Sequence, residues 1–147
     1  MITQIMASFI AVFCFSISLE VPKKFIFITG IIGAIGWIAY LISIMLNLSV
    51  ILSSFISALV VAIISVILSK FFKVVTTIFF IPGILPIVPG VAMYKTVYAM
   101  INNNTSDIIY YLLQSILIAG GIALAIFITD SIRDLKLIKR RKEKNEN

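Results

Sequence analysis

Long apolar runs separated by short polar connections make up almost the whole sequence. A run of about 20 such residues can cross the roughly 30 Å hydrocarbon core of a bilayer as an α-helix. Five candidate spans can be placed, and they cover residues 2–19, 25–46, 50–68, 74–101 and 108–129. The pattern therefore predicts an all-α integral membrane protein with about five transmembrane helices.

The composition agrees with a membrane protein and argues against several other classes. Of the 147 residues, 61% are hydrophobic and 12% are charged, whereas a soluble domain has about 25% charged residues. Histidine is absent and Cys14 is the one cysteine, which disfavours a metal site, histidine-based catalysis and an internal disulfide. No paired carboxylates and no nucleophile–base arrangement occur. We therefore predict that the chain is not an enzyme, with no catalytic residue and no cofactor.

The basic residues predict the orientation in the membrane. Seven of the twelve lysines and arginines follow the last apolar run, and the others outside the spans are Lys23, Lys24, Lys70 and Lys73. Basic connections remain cytoplasmic, so five crossings place the N-terminus outside and the C-terminus in the cytoplasm of a multi-pass plasma-membrane protein. Residues 1–131 then form one membrane domain, and residues 132–147 form a basic cytoplasmic tail. We expect this tail to face anionic lipid rather than nucleic acid.

The fourth run, residues 74–101, does not suit one straight helix. Its 28 residues would extend about 42 Å, more than the hydrocarbon core. Prolines remove helical hydrogen bonds and push the preceding residue away from helical angles. The prolines are Pro82, Pro86 and Pro89, preceded by Ile81, Leu85 and Val88. Non-helical backbone at membrane depth persists where protein covers it or where it lines a hydrated cavity, so we expect a complete crossing that is interrupted at this proline- and glycine-rich break.

The residues around this break are the candidate substrate-binding or gating site. A second half-helix should begin near Gly90, and its first N–H groups would attract a carboxylate. Lys95 adds a full positive charge and shares a helix face with Tyr98 and Asn102. In the alternative interpretation, Lys95 extends to lipid headgroups within an interfacial aromatic belt. The candidate residues are Pro82, Gly83, Pro86, Pro89, Gly90, Tyr94, Lys95, Tyr98 and Asn102.

Small residues recur at helical spacing in the second and fifth spans. Such positions let two helix backbones approach closely in a bilayer, where lipid is as apolar as leucine. We therefore predict helix-packing faces at these positions. The candidate packing residues are Gly30, Gly33, Gly36, Ala119, Gly121 and Ala123.

Two stretches of the sequence resemble a known family. They are "VPKK", which leads into the second span, and "FFIPGILPIVPGVAMYKTVYAMI", residues 79–101. Both are similar to the small, five-span subunit of the two-component threonine/serine exporters, and the likeness extends over nearly the whole chain. Lys95 stands where that family has an arginine, so the positive charge is kept but bidentate binding of a carboxylate is lost.

The resemblance implies a half-transporter that exports small hydroxy amino acids or related carboxylates such as succinate. Its partner would be a larger five-span subunit with a cytoplasmic N-terminal region, and its substrate a small carboxylate. An odd number of spans, an interrupted helix and a positive pocket agree with this role on residue grounds alone. Two alternative functions stay open: an accessory subunit whose broken helix docks a partner without transport, and a pore-forming protein. A second copy of the chain is a further possible partner.

Overall fold

The computed structural model describes the backbone of residues 1–145 and the side chains of residues 1–132. Six α-helices and one 3-10 helix follow one another along it, and this described part contains no strand. The elements are α1 (Ile2–Ser18), α2 (Lys23–Met45), α3 (Val50–Phe72), α4 (Thr77–Ile84), the 3-10 helix Leu85–Ile87, α5 (Gly90–Ile101) and α6 (Thr105–Asn145). The predicted all-α membrane class is confirmed.

The helices of the structure give three or four candidate membrane spans. Among the described residues, α2, α3 and Thr105–Ile132 of α6 are long and apolar enough to cross a membrane. The pair Thr77–Ile87 and Gly90–Ile101, bent by 47°, makes a fourth if the two parts form one broken span. The first helix has 17 residues, which gives about 26 Å against a core of about 30 Å. The count of five crossings stays a prediction.

The last helix crosses the predicted boundary at residue 131 without a break, because α6 continues to Asn145. All seven basic side chains of the predicted tail lie outside the described side chains, which end at residue 132. Their contact with anionic lipid stays a prediction.

The core of the fold is built around glycines of α2. A Cβ atom on Gly30 would lie 2.8 Å from the Phe9 ring of α1, and one on Gly33 would overlap Val12 of the same helix. Gly36 faces Val61 of α3 just as closely. This approach brings serine hydroxyls to glycine carbonyls, since Ser8 donates to the Gly33 oxygen at 3.2 Å. The glycines therefore set how near α1 and α3 come to α2.

The small residues of α6 divide into two groups. Gly121 faces α3, where an added Cβ would meet the Phe55 Cβ at 3.6 Å. Ala119 and Ala123, however, are exposed, so no described helix of this chain covers them, and their role as a helix-packing face stays a prediction. The contact face of α6 instead contains the buried residues Ile118 and Ala125, which lie on a neighbouring side of the helix.

The break begins after Pro82, the first proline of the fourth apolar run. Pro82 stands inside α4 and is buried, so the prediction that it interrupts the helix is wrong. Packing of α4 on α1, α2 and α3 outweighs the one hydrogen bond and the steric clash that a proline costs. Leu85 also keeps helical angles. Only Val88, with ψ of 136°, takes the extended conformation expected before proline.

Candidate functional site

A half-open cavity of about 330 Å³ lies at the break. It forms where α5 bends away from α2 and α3, and α6 closes its other side. The break contributes Pro86, Ile87, Val88 and Pro89 to its wall. The lining residues with polar or aromatic side chains are Trp37 and Tyr40 of α2, Ser54 of α3, Lys95 of α5 and Gln114 of α6. Its volume falls in the lower part of the range for small-molecule sites, about 300–1,000 Å³.

The first turn of α5 supplies one part of the cavity wall. The Gly90 N–H donates to the Val88 oxygen at 2.7 Å, which closes the turn before the helix. Val91 and Ala92 follow in α5 and line the cavity. N–H groups in the first turn of a helix have no intrahelical acceptor, and this end carries partial positive charge. The break therefore opens toward the positive end of α5.

Lys95 adds a full charge of the same sign. It lines the cavity from α5, and its Nζ lies 5.1 Å from the centroid of the Tyr111 ring of α6. A cation at this distance from an aromatic face is attracted to the ring. Tyr111 thus draws the ammonium toward the α5–α6 side of the cavity.

None of the acidic side chains that the structure describes lines this cavity. Three acids have described side chains, and each lies elsewhere. Glu20 follows α1, Asp107 accepts a hydrogen bond from Asn104 at 2.8 Å, and Asp130 lines a second cavity. Gln114 and Tyr40 add neutral donors, and Ser54 donates its own proton to the Val50 oxygen. A positive cavity with neutral donors suits a small anionic group such as a carboxylate.

Two predicted site residues lie in the protein core instead of in the cavity. Pro82 and Gly83 are both buried in α4. A Cβ on Gly83 would lie 2.9 Å from Ile32 of α2 and 3.1 Å from Val61 of α3. Their role in this structure is packing of α4 on its neighbours.

Three further predicted site residues point away from the cavity. Tyr94 and Tyr98 are 68% and 59% exposed and stack on each other with centroids 6.3 Å apart. The Asn102 side-chain amide donates to the backbone carbonyl oxygen of Tyr98 at 2.9 Å. The seam of α5 that packs on α6 is Ala92, Thr96 and Ala99. Lys95 flanks this seam, whereas the two tyrosines lie further round the helix. Lys95, Tyr98 and Asn102 still lie on one side of the α5 helix, but of these three residues Lys95 alone lines the cavity.

Four polar or aromatic cavity residues were missed by the sequence analysis, namely Trp37, Tyr40, Ser54 and Gln114. Gln114 offered a signal, because it is an amide inside the fifth apolar run and polar groups at membrane depth mark functional sites. The other three lie in α2 and α3, and their approach to the break depends on tertiary packing.

A second cavity of about 290 Å³ lies beside the start of α4, lined by Thr76, Thr77, Thr129 and Asp130. Along α3, Ser54 lines the first cavity, buried Ala58 and Val61 belong to the core, and Val66 lines the second. The core therefore separates the two cavities. Within the described side chains, no group of three metal-binding residues occurs.

The apolar helices define a multi-pass membrane protein, and a positive cavity at an interrupted helix is a feature that transporters use to bind anionic groups. Residues 4–132 match the family model described as Threonine/Serine exporter, ThrE, and the chain belongs to this family. Its activity is therefore of the exporter type, in a family of transporters and not of enzymes. The family prediction is confirmed. No curated protein and no solved structure matches the chain.

Proposed function

We propose that the chain is one half of a two-component exporter that moves threonine, serine or a related small carboxylate out of the cytoplasm. The observation that carries the proposal is the cavity at the break, where Lys95 and the first turn of α5 converge. The substrate carboxylate binds at this positive end, as an anion does at the N-terminus of a helix. Lys95 contributes a charge-assisted hydrogen bond to the same group.

The exposed side of α5 supports the need for a second subunit. Among the described residues, α5 packs on α6 and on no other helix. Apolar side chains such as Val91 and Ile101 are more than 70% exposed, and the cavity beside them is half-open. A larger five-span subunit with a cytoplasmic N-terminal region would cover this side and complete the pathway.

The placement of basic residues supports the direction of transport. Lys23, Lys24, Lys70 and Lys73 lie at two ends that share one side when the chain crosses five times. We propose that this side is cytoplasmic and that the basic tail lies against anionic lipid of the plasma membrane. The cavity at the break then lies nearer the outer face.

The test is efflux of labelled threonine, serine and succinate from proteoliposomes, with and without the larger subunit. Lys95→Ala should lower flux about tenfold or more, because a hydrogen bond from a charged group to the substrate is lost. Lys24→Ala is the matched control. Its Nζ also lies over an aromatic ring, 4.7 Å from the Phe25 centroid, but Lys24 does not line the cavity.

Flux that requires both chains and falls only with Lys95→Ala supports the half-transporter. Equal losses in the two variants would show that Lys95 acts through general charge and not at a substrate site. An intact complex that moves none of the three substrates would favour the accessory-subunit alternative.

A further inference from the structure

The part of the cavity wall that comes from α2 consists of two aromatic side chains. Trp37 and Tyr40 both line it, and their rings stack with centroids 5.1 Å apart and an interplanar angle of 27°. The Trp37 indole nitrogen is buried and has no hydrogen-bond partner among the described residues, while the residue as a whole is only half-buried. The accessible surface of Trp37 therefore does not include its N–H.

An amino acid bound in this cavity would bring a positive ammonium as well as a carboxylate. The carboxylate is served by Lys95, but no described acid lines the cavity to pair with the ammonium. A cation that enters without a counterion needs another source of negative potential. The faces of tryptophan and tyrosine rings supply one, and tryptophan is the strongest of the aromatic residues in this role.

Building on the proposed function, we propose that Trp37 and Tyr40 determine specificity by holding the substrate ammonium against their ring faces. The carboxylate binds at the α5 side and the ammonium at the α2 side, so a zwitterion spans the cavity. A substrate of the same size without the ammonium keeps the Lys95 contact and loses only the aromatic one.

The test compares two ligands that differ at one group. L-Serine and glycerate of the same C2 configuration share the carboxylate and the terminal hydroxyl, but glycerate has a hydroxyl in place of the ammonium. Affinities are measured by equilibrium dialysis of the labelled compounds against the chain in nanodiscs, with its larger subunit where binding requires it. The variants are Trp37→Leu, Trp37→Phe, Tyr40→Leu and Lys95→Ala.

Trp37→Leu should weaken serine binding about tenfold, as expected for loss of a desolvated cation–π contact, and should change glycerate binding less than twofold. Trp37→Phe keeps an aromatic face and should lose less. Tyr40→Leu should act in the same direction as Trp37→Leu. Glycerate binding also serves as the folding control, because a misfolded variant would lose both ligands.

A second measurement uses the wild-type chain, in which Trp37 is the single tryptophan. Saturating serine should change its fluorescence emission more than saturating glycerate does.

Equal weakening of both ligands by Trp37→Leu, or emission that serine leaves unchanged, would overturn the aromatic assignment. If Lys95→Ala still weakens both ligands in that case, the carboxylate site of the proposed function stands. If neither ligand binds the wild-type protein, both proposals fail.

Discussion

α4 and α5 come from one apolar run of the sequence, yet they pack in opposite ways. α4 lies against α1, α2 and α3, and its Phe79 has no exposed surface. α5 packs on α6 alone among the described helices, and Val91 is 71% exposed. The two halves meet at an angle of 47°. The break therefore marks the point where the chain leaves the core.

The three prolines of this run lie at different distances from the point where the chain leaves the core. Pro82 lies in the half that three helices hold in place, and the helix continues through it. Pro86 lies in the 3-10 helix Leu85–Ile87, which still packs on the same three helices, whereas Pro89 precedes α5, which packs on α6 alone among the described helices. The polar cavity opens on the less packed half. Because segments with few buried contacts open at lower free energy, we expect α5 to move more readily than α4.

The largest difference between the halves should appear with Phe79→Ala in α4 and Val97→Ala in α5. The Phe79 ring contacts the Phe25 ring edge-on, with centroids 5.2 Å apart, whereas Val97 is 56% exposed. In a bilayer the side chain contacts lipid when the protein unfolds, so the stability lost on truncation comes mainly from lost packing contacts and not from a hydrophobic transfer to water. We expect the free energy of unfolding to fall by about 3 kcal/mol for Phe79→Ala, which is the low end of the range for soluble cores. For Val97→Ala it should fall by less than about 0.5 kcal/mol. Unfolding by SDS, followed by circular dichroism, measures both. Similar midpoints for the two variants would contradict the comparison.

A smaller difference should separate Gly83→Ala from Gly90→Ala. An added Cβ on Gly83 meets Ile32 at 2.9 Å and Val61 at 3.1 Å, while one on Gly90 meets nothing within 4 Å. Overpacking should lower the free energy of unfolding of Gly83→Ala by about 1–2 kcal/mol. Gly90→Ala should be neutral or slightly stabilising, because alanine restricts the unfolded chain. The same SDS titration decides, and a stable Gly83→Ala variant would mean that α4 shifts freely against α2.

The fold class and the position of the break follow from local patterns. Apolar run lengths indicate spanning helices, and Val88 and Pro89 end the helical backbone immediately before α5 begins at Gly90. Lys95 stood out because a charge inside an apolar run needs a reason.

The buried faces could not be predicted in the same way. In α3 the buried residues include Ser53, Ser57 and Ala58, while Ile63 and Ile67 are at least half exposed. A hydrophobic stripe identifies the core of a soluble protein because water is the alternative, but lipid removes that contrast. For this reason the helical spacing of Tyr98 and Asn102 with Lys95 did not reveal which face points inward, and Trp37 and Tyr40 were missed.

Removal of the Tyr111 ring that lies beside the Lys95 ammonium should have a smaller effect, on substrate binding, than the two stability changes above. Tyr111→Leu removes the ring beneath the ammonium, whereas Tyr111→Phe keeps the ring and removes only the hydroxyl. A partly exposed cation–π contact changes an equilibrium about two- to fivefold, so Tyr111→Leu should raise the KM for serine by that factor. Tyr111→Phe should leave it unchanged. If Tyr111→Phe raises the KM as much as Tyr111→Leu, the hydroxyl and not the ring face positions Lys95.

Lys95→Arg should have the smallest effect, and it sharpens the comparison from the side of α5. Arginine keeps the charge, stacks on an aromatic ring and can bind a carboxylate with two parallel hydrogen bonds. Because α5 packs on α6 alone within the described part of the chain, it has room to shift and accommodate the longer side chain. We expect flux within about threefold of wild type and a KM for serine that is unchanged or lower. The proteoliposome assay used for Lys95→Ala measures it, with Lys24→Arg as the control outside the cavity. If Lys95→Arg stops transport while Lys24→Arg does not, α5 is held as rigidly as α4, and the contrast between the two halves of the broken span would be wrong.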